Sequence, residues 1–331
     1  MYNISPYIHI VNTRFSNSQK ASVEFSSKRR YTVLSAVWAF HTQTKKDRIY
    51  SGPYSGGFTT MSTTPLISQM AFICMGIAGI LCIAVPLVLL FSFKSRFQVK
   101  MQPFFFGIIT FVIFAMTLES FAHEFFLSGT NSISRAVLAS PFLYALYGGL
   151  AAGIFEEIGR YFCMNFLMKN IRKEDAFVYG IGHGCVEAVL VGAFVMFQNI
   201  IVAMALNKLG SIENYANQAQ TAEEVQSLTE SLTAMVNTPS AEYLLAGVER
   251  MAAFAIQVSL SILIFKAVSR KKYAYIPLAI LLHAIVGFAI GLYQMKVITN
   301  IYLLEGGLAI YAAAVAVFAY RQYQSLKYDD Y

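Results

Sequence analysis

Seven long apolar stretches separated by short polar connections occupy residues 69–93, 103–127, 137–168, 176–206, 241–265, 273–295 and 297–320. Each is long enough for the about 20 predominantly apolar residues that a helix needs to cross the hydrocarbon core. Barrel strands would instead be about 10 residues of alternating polarity. A backbone in lipid must also satisfy its N–H and C=O groups within its own segment. The pattern therefore predicts an all-α, polytopic integral membrane helical bundle of seven transmembrane helices.

Two regions depart from this pattern. Residues 1–60 carry eight Lys/Arg and two Asp/Glu and lack the apolar core of a signal peptide. They read as a basic disordered tail or as an over-extended start, with Met61 and its polar lead Met-Ser-Thr-Thr-Pro as the alternative beginning. Residues 61–331 then form the membrane-embedded domain. Within it, residues 207–240 are polar and acidic. Thr221 followed by Glu224 has the spacing of a capping box, and Val225, Leu228, Leu232 and Met235 recur at helical intervals. A short amphipathic helix is expected there.

Composition sharpens the class. The chain has 331 residues, 56% hydrophobic and only 13% charged, with a mean hydropathy of +0.54. This excludes an ordinary soluble globular protein. The formal charge of +7 comes almost wholly from residues 1–60, and residues 61–331 carry seventeen bases against sixteen acids. A nearly neutral body without a basic aromatic surface leaves no nucleic-acid partner. Cys74, Cys82, Cys163 and Cys185 all lie in apolar stretches, which argues for small buried side chains rather than disulfides or a cysteine zinc site.

Lysine and arginine concentrate in alternate connections. Lys94, Arg96 and Lys100 follow the first stretch, Lys169, Arg172 and Lys173 the third, and Lys266, Arg270, Lys271 and Lys272 the fifth, while Arg321 and Lys327 follow the seventh. The other connections hold Arg135, Lys208 and Lys296. Basic connections face the cytoplasm, so the C-terminus is expected inside and the 207–240 insertion outside, in a bacterial plasma membrane.

Charged groups at depth cost several kcal/mol and call for a partner or a task. The third stretch holds Glu156, Glu157 and Arg160, the fourth His183 and Glu187, and the sixth His283. Glu119, His123, Glu124, Glu249, Arg250 and Glu305 occupy other stretches. At about 1.5 Å per residue, Glu156 and Glu157 lie roughly 16–18 Å from the cytoplasmic end of their helix, His183 roughly 11 Å and His283 roughly 15 Å. Three helices thus bring carboxylates and imidazoles to similar height. Arg160 is three and four residues from the glutamates, within ion-pair reach, and two carboxyls sharing one cation suit a general acid or base. His183 and Glu187 are four apart, as are Tyr179 and His183, so Glu187 is expected to fix the imidazole tautomer.

The stretches Glu156-Glu157-Ile-Gly-Arg160 and Tyr179-Gly-Ile-Gly-His183, with His283 in a later span, resemble the three motifs of the CPBP superfamily, which includes CAAX prenyl endopeptidases and bacteriocin-processing proteases. The Glu-Glu-x-x-Arg and Gly-His-Gly-x-x-Glu patterns are most similar to its YhfC-like membrane peptidase branch. The resemblance implies a peptidase domain over residues 61–331, with Glu156 activating water, Glu157 and Arg160 supporting it, and His183 and His283 positioning water or stabilising the oxyanion. Tyr179 and Glu187 are supporting candidates. The arginine comes one residue sooner than in the CAAX-type pattern, and Gly287 stands where that branch has asparagine, so Glu187, Tyr179 or His123 is left to supply the missing donor. The implied substrate is a membrane-embedded or lipid-anchored peptide entering from the bilayer. Zinc held by Glu156, His183 and His283 remains open beside a metal-free route, since two histidines and a carboxylate are a zinc ligand set. Two other readings stand: a non-catalytic scaffold subunit of the same fold, and a proton- or cation-coupled transporter using a polar layer of Glu119, His123 and Glu249.

Overall fold

The computed structural model describes residues 65–169 and 172–326, so the expectations for residues 1–60 and Met61 lie outside the described residues. Those residues are helical, with no strand among them, as the length of the apolar stretches requires. They divide into two compact units, one of residues 68–202 and 238–326, the other of residues 65–67 and 203–237.

The first unit begins with α1 (Gln69–Phe97), whose first turn is closed by the Ser68 hydroxyl accepting from the Ala71 N–H at 3.2 Å. Helix α2 (Gln102–Leu127) follows, then the short α3 (Ser132–Ala139) and α4 (Pro141–Leu167). Helix α5 (Lys173–Leu209) runs from this unit into the second. The second unit contains α6 (Ile212–Ala216) and α7 (Ala222–Asn237), which pack on each other. The chain returns through α8 (Ser240–Ser269), α9 (Tyr275–Gln294) and α10 (Ile301–Gln324).

Six of these helices are each long and apolar enough to cross a membrane. The stretch expected as one span at 137–168 is broken instead: α3 and α4 meet at 109° and make a seventh crossing only if taken as one bent span. The cause is local. Ser140 precedes Pro141, and the proline ring drives the residue before it out of the helical region, to φ −117° and ψ 115°. Pro141 then sits at the first position of α4, where its missing N–H costs nothing.

Helix α8 is the axis of the first unit, packing on α1, α5, α9 and α10. Its most apolar window is 72% buried, against 28–39% in the other spans. The outer helices turn apolar side chains outward, Met70, Ile73, Ile77 and Ile80 on α1 and Leu303, Ile310 and Val317 on α10, all more than 40% exposed. Spaced along one helical face, they suit contact with lipid.

Glycines let the motif-bearing helices touch backbone to backbone. A Cβ at Gly182 of α5 would overlap the Phe104 carbonyl oxygen of α2, and one at Gly149 of α4 would overlap that of Ala284 on α9. Gly148, which shares the glycine-rich stretch, faces open space, with nothing within 4 Å. Gly182→Ala is therefore expected to destabilise the bundle by about 1–3 kcal/mol, and Gly148→Ala by less than about 0.5 kcal/mol. Thermal unfolding in detergent measures both, and equal midpoints would show that the α2–α5 contact is not that tight.

Three segments have π-helical i→i−5 bonding: Phe111–Leu118 in α2, Cys163–Leu167 closing α4, and Ala188–Ala193 in α5. The last two begin three residues after Arg160 and one after Glu187. Such wide turns occur often at functional sites.

In the second unit the Thr221–Glu224 capping box forms as expected. The Glu224 N–H donates to the Thr221 hydroxyl at 3.2 Å, and the Thr221 N–H to the Glu224 carboxylate at 3.2 Å. Leu232 and Met235 of the expected stripe are buried, while Val225 and Leu228 are partly so. All four cysteines are buried and unbridged.

Candidate active site

Helix α4 turns Glu156, Glu157 and Arg160 inward, none more than 2% exposed. Helical spacing places the guanidinium between the two carboxylates: Arg160 Nη1 donates to Glu157 Oε1 at 2.7 Å, and Nη2 lies 3.4 Å from Glu156 Oε2. On α5, His183 Nε2 is 2.9 Å from Glu156 Oε2. From α9, His283 Nδ1 is 2.8 Å from Glu157 Oε1, and its Nε2 is 3.8 Å from Glu156 Oε1. A carboxylate only accepts, so against ionised glutamates His183 presents an N–H at Nε2 and His283 one at Nδ1. The five residues expected to act together converge from three helices.

Burial makes this network demanding, because each polar group needs a hydrogen-bond partner. The two oxygens of Glu156 differ accordingly. Oε2 is shared by His183, Arg160 and the Gln257 amide at 3.0 Å, whereas Oε1 accepts no hydrogen bond and faces His283.

The two supporting candidates behave differently from expectation. Glu187, one turn beyond His183, does not pair with it. Its carboxylate accepts from Arg250 Nη1 at 3.2 Å and from Gln257 Nε2 at 2.5 Å. Those donors on α8 outcompete a neutral imidazole for an acid, and His183 Nδ1 is left buried without a hydrogen bond. Tyr179 contributes its ring rather than its hydroxyl: the ring lies 6.2 Å from that of His183, while Phe111 meets the imidazole edge-on at 5.2 Å. The histidine is held by aromatic packing and by Glu156.

Gln257, an uncharged residue outside the sequence motifs, completes the cluster. Its Oε1 accepts from Arg160 and its Nε2 bridges Glu156 and Glu187. Its signal in the sequence was an amide within the apolar run of α8. Arg250 also binds Glu249, extending the network along α8. The expected layer of Glu119, His123 and Glu249 is thus divided. Glu249 joins Arg250, while His123 is 3.3 Å from Glu119 and 2.8 Å from the Tyr147 hydroxyl.

Glu156, His183 and His283 have the donor types of a zinc site. Their arrangement does not fit one. Glu156 Oε2 is taken up by three donors, one of them a guanidinium whose charge would oppose a cation. Among the described residues, no three His, Cys, Asp or Glu side chains converge as a metal-ligand group.

Residues 81–308 match the family described as YhfC intramembrane metalloprotease. The chain is also similar to the "Uncharacterized membrane protein YhfC" of Bacillus subtilis (strain 168), 33% identical over 249 residues that cover 75% of this chain and 95% of the relative. No solved structure matches it. All of the site residues fall within the matched span, and the chain belongs to the YhfC intramembrane metalloprotease family.

Proposed function

We propose that this protein is an intramembrane endopeptidase that hydrolyses a peptide bond of a membrane-embedded or lipid-anchored substrate, with Glu156 as general base. The observation that carries this reading is the asymmetry of Glu156: Oε2 is fixed by His183, Arg160 and Gln257, and Oε1 is left beside His283 to take a proton. An apolar helical site strengthens each such interaction. Water activated at Oε1 attacks the scissile carbonyl, and the proton then passes to the leaving nitrogen. His283, oriented through Nδ1 by Glu157, aims Nε2 at the reacting water. Arg160 holds both carboxylates in place. The likeness to the CPBP superfamily is part of this reading.

The family description names a metalloprotease, but the arrangement of donors supports a metal-free route, and no step is assigned to an ion. The test uses detergent-purified full chain reconstituted with single-span reporter peptides in H₂¹⁸O. Expected are one ¹⁸O in each new C-terminal carboxyl, activity that survives chelators, and substoichiometric zinc by elemental analysis. No cleavage of any reporter would favour a scaffold. Near-stoichiometric zinc that is lost in a His183→Ala, His283→Ala double variant would replace the metal-free route with a zinc one.

The proposed orientation in a bacterial plasma membrane places the C-terminus in the cytoplasm, following the alternating Lys/Arg connections. Alkaline phosphatase fused within 207–240 is then expected to be active, and fused after Lys272 inactive. The reverse pattern would invert the map.

A further inference from the structure

Next to the glutamate–histidine cluster lies a cavity of about 10 Å³, lined by Glu187, Arg250, Gln257 and His283 and by apolar side chains including Val286 and Ile290. Its size admits a single oxygen-sized group. Acyl transfer needs hydrogen-bond donors where the carbonyl oxygen gains charge, so the donors around this cavity matter. Arg250 gives three of its five N–H donors to acids, Nε and Nη2 to Glu249 and Nη1 to Glu187, and is tied to both. Gln257 is placed differently. Arg160 has only donors, so the amide oxygen of Gln257 must face it, and this fixes the NH₂ group toward Glu156 and Glu187. One N–H is directed at Glu156 Oε2, 3.0 Å away; the other donates to Glu187 Oε2 at 2.5 Å and turns to a substrate oxygen by leaving that atom, while Arg250 still holds Glu187 Oε1.

We propose that this cavity receives the scissile carbonyl oxygen and that Gln257 is a further catalytic residue, donating its side-chain N–H to that oxygen as it becomes the oxyanion. This rests on the hydrolytic reading of Glu156. In the step, the water oxygen bonds to the carbonyl carbon, and its proton goes to Glu156. The C=O π pair moves onto oxygen and is met by Gln257 Nε2–H. On collapse the C=O re-forms, the C–N bond breaks, and the proton held by Glu156 passes to the departing nitrogen. One water is consumed, and a carboxylic acid and an amine are formed. The donor and the base are neighbours, held by one shared hydrogen bond, so base and oxyanion donor address the same carbonyl.

The test uses the full chain in liposomes with a panel of quenched-fluorescent, single-span peptides. Gln257→Met removes every polar atom; Gln257→Glu keeps the shape and the contact with Arg160 but replaces the amide donors with a carboxylate oxygen set against Glu156 and Glu187. Thermal midpoints identify any variant that fails to fold, and Gln257→Glu, which retains the arginine contact, stands in if Gln257→Met does. Loss of an oxyanion donor lowers kcat by about 10²–10³-fold, and here KM should stay within about threefold because the interaction develops in the transition state. An unchanged kcat in a folded variant, while Glu156→Gln is silent, overturns the assignment of Gln257 alone. A raised KM at unchanged kcat also overturns it, leaving only a binding role. Absence of cleavage by the wild type, or full activity of Glu156→Gln, removes the hydrolytic reading and this assignment with it.

Discussion

Glu156→Gln is expected to lower peptide cleavage by about 10²–10⁴-fold, the usual cost of losing a general base, or about 3–5 kcal/mol of transition-state stabilisation. The substitution preserves size and leaves an oxygen that can accept from His183 Nε2, now at 2.9 Å from the carboxylate. It removes the basicity of Oε1, the oxygen beside His283. The fold should survive, with a thermal midpoint in detergent within a few degrees of wild type. Cleavage and stability measured on one preparation separate the two roles: an inactive, folded variant fits a base, and a fully active one removes Glu156 from that part.

Arg160→Met is expected to act through stability. The guanidinium is fully buried and holds Glu157, Glu156 and the oxygen of Gln257 at once. Removing it strands two adjacent buried carboxylates, and breaking a buried ion pair from one side costs about 3–5 kcal/mol. Arg160→Lys should recover only part of this, because an ammonium cannot span three acceptors with a planar fork. Adding Glu157→Gln to Arg160→Met should restore part of the loss by removing one stranded charge. Denaturation midpoints of the three variants test the order; an Arg160→Met protein as stable as wild type would show that the carboxylates find other partners.

Much of this architecture was legible because lipid imposes a length on apolar segments and a cost on every charge within them. Glu156, Glu157, Arg160, His183 and His283 stood out as ionisable groups in apolar runs, and helical rise brought them to a common height before any contact was known. What escaped was partnership across helices. Glu187 looked like a companion of His183 because four residues separate them, yet Arg250 and Gln257 on α8 claim its carboxylate. Spacing along one helix says nothing of the donors a neighbouring helix presents. Gln257 carries no charge and so drew no attention. The break at Ser140–Pro141 had a local signal in the proline, but the apolar run across it concealed the turn.

The wide turns in α4 and α5 bear on how such a site can change over generations. Each π segment holds a residue in excess of ordinary helical winding. Deleting one residue from 188–193 would let α5 rewind as a regular helix, leaving His183 and Glu187 upstream undisturbed. Because the extra residue is taken up within the wide turn, everything from Phe194 onward would keep its facing about the helix axis. A single-codon loss there would thus reshape the turn beside Glu187, while the side chains that α5 offers beyond Phe194 and the buried glutamate–histidine cluster are inherited intact. The wide turn is a place where the length of α5 can change by one residue without disturbing the helix on either side.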